Sequence, residues 1–199
     1  RGPKQRLSRR FGVPLFGTSK ALERRSYAPG QHGIRAARKK KSDYAVALAE
    51  KQKLRYQYGI LEKQFRRYFA EAAGRRGVTG EILLQLLEQR LDNIVFRLGL
   101  GPSRDAARQA VNHGHFEVNG RRVDIPSYRC KPGDAITVRD NPKSQQLAQR
   151  ALDQTQSHTV PDWLISDRDK MTGKVLRIPT REEIAPIVNE QLVVELYSR

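Results

Sequence analysis

The sequence predicts an α+β protein with a highly charged, weakly patterned start. Three observations carry that prediction. Apolar residues recur at helical spacing between residues 42 and 98. Asn119-Gly120, flanked by alternating apolar residues, is the strongest two-residue hairpin signal, because both central residues of a type I′ turn need positive φ. The first 41 residues show neither period and are dense in positive charge and Pro/Gly punctuation.

Residues 1–41 are therefore expected to be extended or loop-like, apart from a short helix near residues 19–25, and to be ordered mainly by a partner. Ser42 reads as an N-cap with Asp43 in the first turn, opening a helix to about Tyr58 that Gly59 stops. A second helix, residues 60–73, puts Leu61, Phe65, Tyr68 and Phe69 on one side and Lys63, Arg66 and Arg67 on the other. A third, residues 79–98, carries the stripe Leu83, Leu87, Leu91, Ile94, Val95 and Leu98 and ends at Gly99. Ser103 caps a short fourth helix that buries Ala106, Ala107, Ala110 and Val111 and stops at Gly114. At 100° per residue, Arg104, Arg108 and Asn112 fall on its opposite side. Beyond the hairpin come a strand around residues 135–138 and a helix opened by Asn141 and Pro142, with Leu147, Ala148, Ala151 and Leu152 inward. WLIS and KVLRI read as two strands around a turn at Thr172-Gly173, and Asn189 opens a last helix over 190–197.

Charge narrows the function. Lys and Arg number 38 against 21 Asp and Glu, a net +17 over 199 residues. The surplus is uneven: residues 1–41 carry +12, residues 42–86 add +3, residues 87–140 add +2, and the remainder sums to zero. Solubility does not require such a gradient, whereas an arm for an anionic partner does. The single cysteine, Cys130, excludes an internal disulfide and fits a reducing compartment. No apolar run approaches a bilayer-spanning length, and no secretory signal pattern is visible, so a cytoplasmic location is expected.

The hairpin register pairs Phe116 with Val123, Glu117 with Arg122 and Val118 with Arg121. Phe116, Val118 and Val123 then share a face that covers the alanine side of the fourth helix, and Glu117 partly balances Arg122 across the strands. The expectation is a rim of Arg104, Arg108, Asn112, His113, His115, Asn119 and Arg121: donors and cations on a rigid frame, spaced to follow a phosphate backbone.

The run RLDNIVFRLGLGPSRDAARQAVNHGHFEVNGRRVDIPSYRCKPGDAITV, residues 90–138, resembles the RNA-binding module named after small ribosomal subunit protein S-four. That module is also similar to parts of pseudouridine synthases, tyrosyl-tRNA synthetases and a heat-shock RNA-binding protein. The flanks decide: APGQHG at 28–33, SDYAVALAEKQKLRYQYGILEKQFRRYF at 42–69 and VNEQLVVELYSR at 188–199 resemble the bacterial-type ribosomal protein family itself. The resemblance implies a basic N-terminal arm (1–41) and a helical domain (42–86) completed by the C-terminal helix (182–199). Between them it implies an inserted module (87–181) of two helices on a small, mostly antiparallel sheet. It further implies a primary binder of small-subunit rRNA at a multi-helix junction near the five-prime domain, which nucleates assembly. Neighbouring ribosomal proteins and mRNA at its channel of entrance are implied partners, with effects on decoding accuracy and, in some bacteria, repression of its own mRNA. Candidate rRNA contacts are then Arg6, Arg9, Arg10, Arg24 and Arg25 of the arm, with Gln31 and His32 of PGQHG. Lys51, Lys53 and Arg55 of the first long helix and Lys63, Arg66 and Arg67 of the second join them, with Arg104, Arg108, His113, His115, Asn119 and Arg121 of the rim. Arg35, Arg38, Lys39, Lys40 and Lys41 match the family's channel-lining segment. Many relatives hold zinc with four N-terminal cysteines; LFGTSKALERRSYAPG has none, and His32 alone cannot form a tetrahedral set, so a zinc-free chain with no cofactor is expected.

Other constellations carry no catalytic or metal-binding reading. His113 and His115 are too few for a metal site and are read as a helix C-cap donor and an RNA-facing strand residue. Tyr56, Tyr58 and Tyr68 can stack on bases, but aromatics at helical spacing such as Phe65, Tyr68 and Phe69 are read as core. Asp167 and Asp169 read as turn residues, and no nucleophile elbow, P-loop or dinucleotide fingerprint appears. An RNA-modifying enzyme would need a further catalytic domain, for which the remaining segments are too short. No enzymatic activity is expected.

Overall fold

A computed structural model describes residues 2–17, 19–36, 40–184 and 188–198. The first half is helical: α1 (Lys4–Phe11), α2 (Lys20–Arg24), α3 (Gly33–Ala36), α4 (Asp43–Gln57), α5 (Glu62–Ala73), α6 (Thr79–Glu88), α7 (Leu91–Arg97) and α8 (Arg104–Asn112). Then follow β1 (Phe116–Val118), β2 (Arg121–Arg122), β3 (Ala135–Val138), α9 (Pro142–Gln154), β4 (Leu164–Asp167), β5 (Thr172–Val175) and α10 (Glu190–Ser198). The chain divides into two compact units, residues 1–80 with 185–199, and residues 81–184.

The first unit is all-helical. Ser42 caps α4 by accepting from the Ala45 N–H, and Gly59 ends it in the left-handed region with φ 63°. Phe65, Tyr68 and Ala72 of α5 are buried with Ala47 and Leu54 of α4 and Val193 of α10. Tyr197 of α10 stacks on Phe69 at 4.6 Å between ring centres. Leu61, expected inside, is instead the residue preceding α5 and is 62% exposed. The arm also departs from expectation, because residues 4–11 are helical. Pro3 opens that helix, and Gly12 closes it with φ 69° while its N–H returns to the Ser8 carbonyl. Eight residues between Pro and Gly are too few to show a period, so only the punctuation marked the helix.

The second unit wraps helices around a five-stranded antiparallel sheet of order β2-β1-β3-β5-β4. Glu117 faces Arg122 and Val118 faces Arg121, with Asn119 at φ 51° and Gly120 at φ 74°. That is the register the Asn-Gly turn dictates. Leu91, Ile94, Val95 and Leu98, Ala107, Ala110 and Val111, and Ala148 and Leu152 share one core with Phe116, Val118, Ile136, Trp163, Leu164 and Val175. Leu147 of α9 is 40% exposed, and Ser144 takes the inward place. The β4–β5 turn lies at residues 168–171, with Met171 at φ 51°, so Thr172 and Gly173 belong to β5. Gly173 is required there by packing: a Cβ would meet Leu98 Cδ1 at 2.4 Å.

The expected single helix over 79–98 is two helices. Arg90 is extended (φ −67°, ψ 137°), and its neighbourhood pairs with the segment before β3. Leu91 N–H donates to the Tyr128 carbonyl (2.9 Å), Asp92 N–H to that of Pro126 (3.2 Å), and Cys130 N–H to that of Gln89 (3.0 Å). Asn93 Nδ2 caps the Glu88 carbonyl at 3.1 Å. Both halves keep their apolar residues inward, so the helical period runs through the break unmarked.

Gly101 lies directly against α8: an added Cβ would meet the Ala107 Cβ at 2.8 Å and its Cα at 3.0 Å. Because backbone cannot yield as a side-chain end can, Gly101→Ala is expected to destabilise the protein by about 1–3 kcal/mol, read as a lower urea midpoint at unchanged slope.

Candidate nucleic-acid interface

In the first unit the arm folds onto itself. Ser19 caps α2 and its hydroxyl bonds Gln5 Oε1 of α1. Arg9 turns inward, its Nε donating to the Tyr27 carbonyl (3.3 Å) while the guanidinium sits 5.1 Å from the Tyr27 ring centre. Gln5, Arg9, Lys20, Ala21, Arg24 and Arg25 line an open surface cleft. Its wall holds four cations and no carboxylate. Arg6, Arg10, Arg24, Arg25, Gln31 and His32 are exposed. Arg35, Lys40 and Lys41 are exposed as well, while Arg38 and Lys39 lie outside the described residues. The segment does not fit zinc: residues 15–30 offer no thiol, and among the described residues no three His, Cys, Asp or Glu gather where a metal could sit.

The cations of α4 are mostly turned to acids. Lys51, 6% exposed, pairs with Glu62 at 2.8 Å, and Lys53 pairs with Glu50 at 2.6 Å. Glu62 also accepts from Tyr197 Oη (2.8 Å) and lies 3.9 Å from Arg55. Burial works to raise the Glu62 carboxyl, but hydrogen bonds from Lys51 and Tyr197, with the charges of Lys51 and Arg55, outweigh it and hold the group below its usual range. Sequence reasoning missed this hub, for which an acid opening the second basic helix was the available signal. Lys63 and Arg67 face solvent, as does Arg66, which is 3.6 Å from Glu62 but 71% exposed.

In the second unit the expected rim separates into two groups. Four residues are engaged by partners within the unit: Arg104, Arg108 and His115 are half-buried, and Asn119 is exposed. Arg104 Nε donates to Asn93 Oδ1 (2.8 Å) and its guanidinium lies 4.6 Å from the Phe96 ring centre. Arg108 reaches Asp92 at 4.0 Å, His115 Nδ1 and Ser144 Oγ share a bond of 2.8 Å, and Asn119 clamps the hairpin tip to β3. Its Nδ2 donates to Asp134 and its Oδ1 accepts from the Ala135 N–H, both at 2.9 Å. Asn112, His113 and Arg121 remain exposed. Arg122 lies across Gly114, where a Cβ would meet its Nε at 2.4 Å, and its ion pair is with Asp124 (4.0 Å).

Beneath α8 lies a network that sequence reasoning missed. Arg90 is fully buried and forks onto Asp92, with Nε at 3.0 Å and Nη2 at 2.7 Å. Glu88, 1% exposed, receives Arg97 through Nε at 3.1 Å and Nη2 at 2.9 Å, together with Asn93 Nδ2 at 2.7 Å. Arginine suits this work because its planar fork matches a carboxylate through two parallel bonds. The signal was present in E-Q-R-L-D-N, polar residues interrupting an apolar stripe. His158 packs edge-on to Phe96 at 5.3 Å.

Burial, then the charges of Arg97, Arg104 and Arg168, holds the His158 imidazole below its ordinary value; burial, then His113, does the same for His115. A lowered folded value favours the neutral ring, so this stability is present above pH 6.5 and is lost as pH falls below it. Proton NMR is expected to show both rings titrating below 6.5; either ring titrating at or above it would contradict this packing.

Comparison with known proteins bears on both units. Residues 1–88 match the family described as ribosomal protein S4/S9 N-terminal domain, and residues 89–136 match the S4 domain. The chain is similar over its whole length to proteins named small ribosomal subunit protein uS4. That of Akkermansia muciniphila is 66% identical, covering 100% of this chain and 98% of the relative. That of Opitutus terrae is 57% identical with 100% and 97% covered, and that of Thermus thermophilus is 53% identical with 100% and 98% covered.

Proposed function

The chain belongs to the uS4 family of small ribosomal subunit proteins, and from that premise we propose that it is a primary rRNA binder that starts assembly of the subunit. It is a structural constituent rather than an enzyme. The observation that carries the proposal is the open cleft of the arm lined by Arg9, Lys20, Arg24 and Arg25 without an acid, in the segment that holds +12 of the net charge. Such a concentration of cations displaces condensed counterions from a nucleic-acid backbone, and the entropy of their release drives capture. The second unit then selects by shape, since the deep groove of an A-form helix hides its base edges from side chains. Its cations sit on helices and a clamped hairpin, which suits a folded junction better than a flexible strand.

The finer roles rest on the same chemistry. The multi-helix junction near the five-prime domain is the proposed seat on rRNA, with neighbouring small-subunit proteins beside it. Arg35, Lys40 and Lys41, exposed and adjacent in sequence to Arg38 and Lys39, supply cations suited to the path by which mRNA enters. Contacts there provide a route to effects on decoding accuracy, and a messenger that imitates the rRNA fold would be repressed by the same surface.

Filter binding to small-subunit rRNA across a salt series tests the reading. Arg104→Ala with Arg108→Ala is expected to weaken binding and to reduce the log–log salt slope by about one to two. The fold is expected to survive, because Asp92 keeps its fork from Arg90. Unchanged affinity at physiological salt would remove this face from the site. Co-sedimentation with large rather than small subunits would overturn the assignment of the partner.

A further inference from the structure

We propose that Glu88 and Asp92 are positioning residues for RNA recognition: two buried carboxylates hold Arg97, Arg104 and Arg108 at fixed spacing, so that this face prefers a folded RNA backbone to an arbitrary polyanion. The inference rests on the reading that the second unit binds rRNA.

Acids are the wrong sign for such a face. Each one lowers the attraction between this unit and a polyanion, and each costs desolvation in the interior. Glu88 is 1% and Asp92 4% exposed, so neither carboxylate is placed to touch RNA itself. The arginine side chains above them are partly open, Arg97 at 21% and Arg108 at 22%. Of the guanidinium groups in the network Arg90 is wholly interior, whereas Arg97 and Arg108 reach the surface.

Geometry is what the acids supply in return. Glu88 grips Arg97 through both of its oxygens, at 3.1 and 2.9 Å. The same carboxylate receives Asn93 Nδ2, and Asn93 Oδ1 in turn accepts Arg104 Nε, so one buried group sets two arginines that lie on different helices. Phe96 supports Arg104 from the ring side. Asp92, already fixed by the Arg90 fork, stands 4.0 Å from Arg108, one turn along α8 from Arg104. A lysine or a solvated arginine loses rotamer freedom when it meets a phosphate; these side chains lost it on folding. A rigid set of donors fits one arrangement of phosphates and penalises others, which is selectivity by shape.

The decisive variant is Glu88→Gln in the full chain, measured by filter binding to a small-subunit rRNA fragment and to polyuridylate, which has no fixed fold. Charge alone predicts tighter binding to both, because a negative group has been removed. Positioning predicts that rRNA affinity falls by about tenfold, the scale of one charge-assisted hydrogen bond, while polyuridylate affinity holds or rises. Equal or tighter rRNA binding overturns the proposal, and so does a loss shared equally by both ligands. Should Glu88→Gln fail to fold, Arg97→Lys keeps the charge, loses the fork and is judged by the same two ligands. If Arg104→Ala with Arg108→Ala weakens rRNA binding but these variants do not, the positioning role fails alone. If the double arginine variant has no effect either, the reading beneath it fails.

Discussion

The second unit depends on two carboxylates buried beside its apolar core, Glu88 and Asp92. Glu88 ends α6 and Asp92 lies in the first turn of α7, and the three residues between them include the break in the helix. A helix end leaves carbonyls without partners, and a buried end must find them. Here Asn93 reaches back to the Glu88 carbonyl, and the backbone of residues 126–130 satisfies Gln89, Leu91 and Asp92. With the main chain so satisfied, the two side chains can be buried with their arginines. Breaking a buried pair of this kind is far costlier than never having built it, because the surviving charge is stranded in low dielectric.

The first unit follows the same logic with different partners. Glu62 gathers Lys51, Arg55, Arg66 and Tyr197, and so ties α4, α5 and α10 together within that unit. A protein with 38 basic residues against 21 acidic ones faces a general difficulty: its cations repel one another in the compact state. Each unit answers it by setting carboxylates among its cations, half-buried at Glu62 and buried at Glu88 and Asp92. Lys63, Arg67, Arg121 and, in the arm, Arg6, Arg10, Arg24 and Arg25 keep their exposure and carry the outward field.

What could be read from the sequence was whatever a short local rule governs. Ser42, Ser103, Asn141 and Asn189 were legible as helix starts because a side-chain acceptor before an apolar period has few other uses; all four accept from backbone N–H groups two or three residues on. Asn119-Gly120 fixed the hairpin register for a comparable reason. The family was legible because its motifs span the whole chain. The partners of Arg104, Arg108, His115 and Asn119 were not, since each lies 11 to 29 residues away along the chain. Angular position on a helix separates inside from outside, but a long side chain can bend from the polar side toward a neighbouring element. The helix break itself was invisible because hydrophobic phase was conserved across it.

Cys130 closes the seam at that break. Its N–H holds the Gln89 carbonyl, its side chain is 1% exposed, and burial followed by the charge of Asp134 pushes the thiol up to about 12. At neutral pH the group is therefore neither nucleophile nor metal ligand. Its silence makes it a natural gauge of integrity: an alkylating reagent gains the sulfur when the segment of residues 126–130 parts from the junction of α6 and α7, so the rate of labelling would report how often this hidden joint breathes.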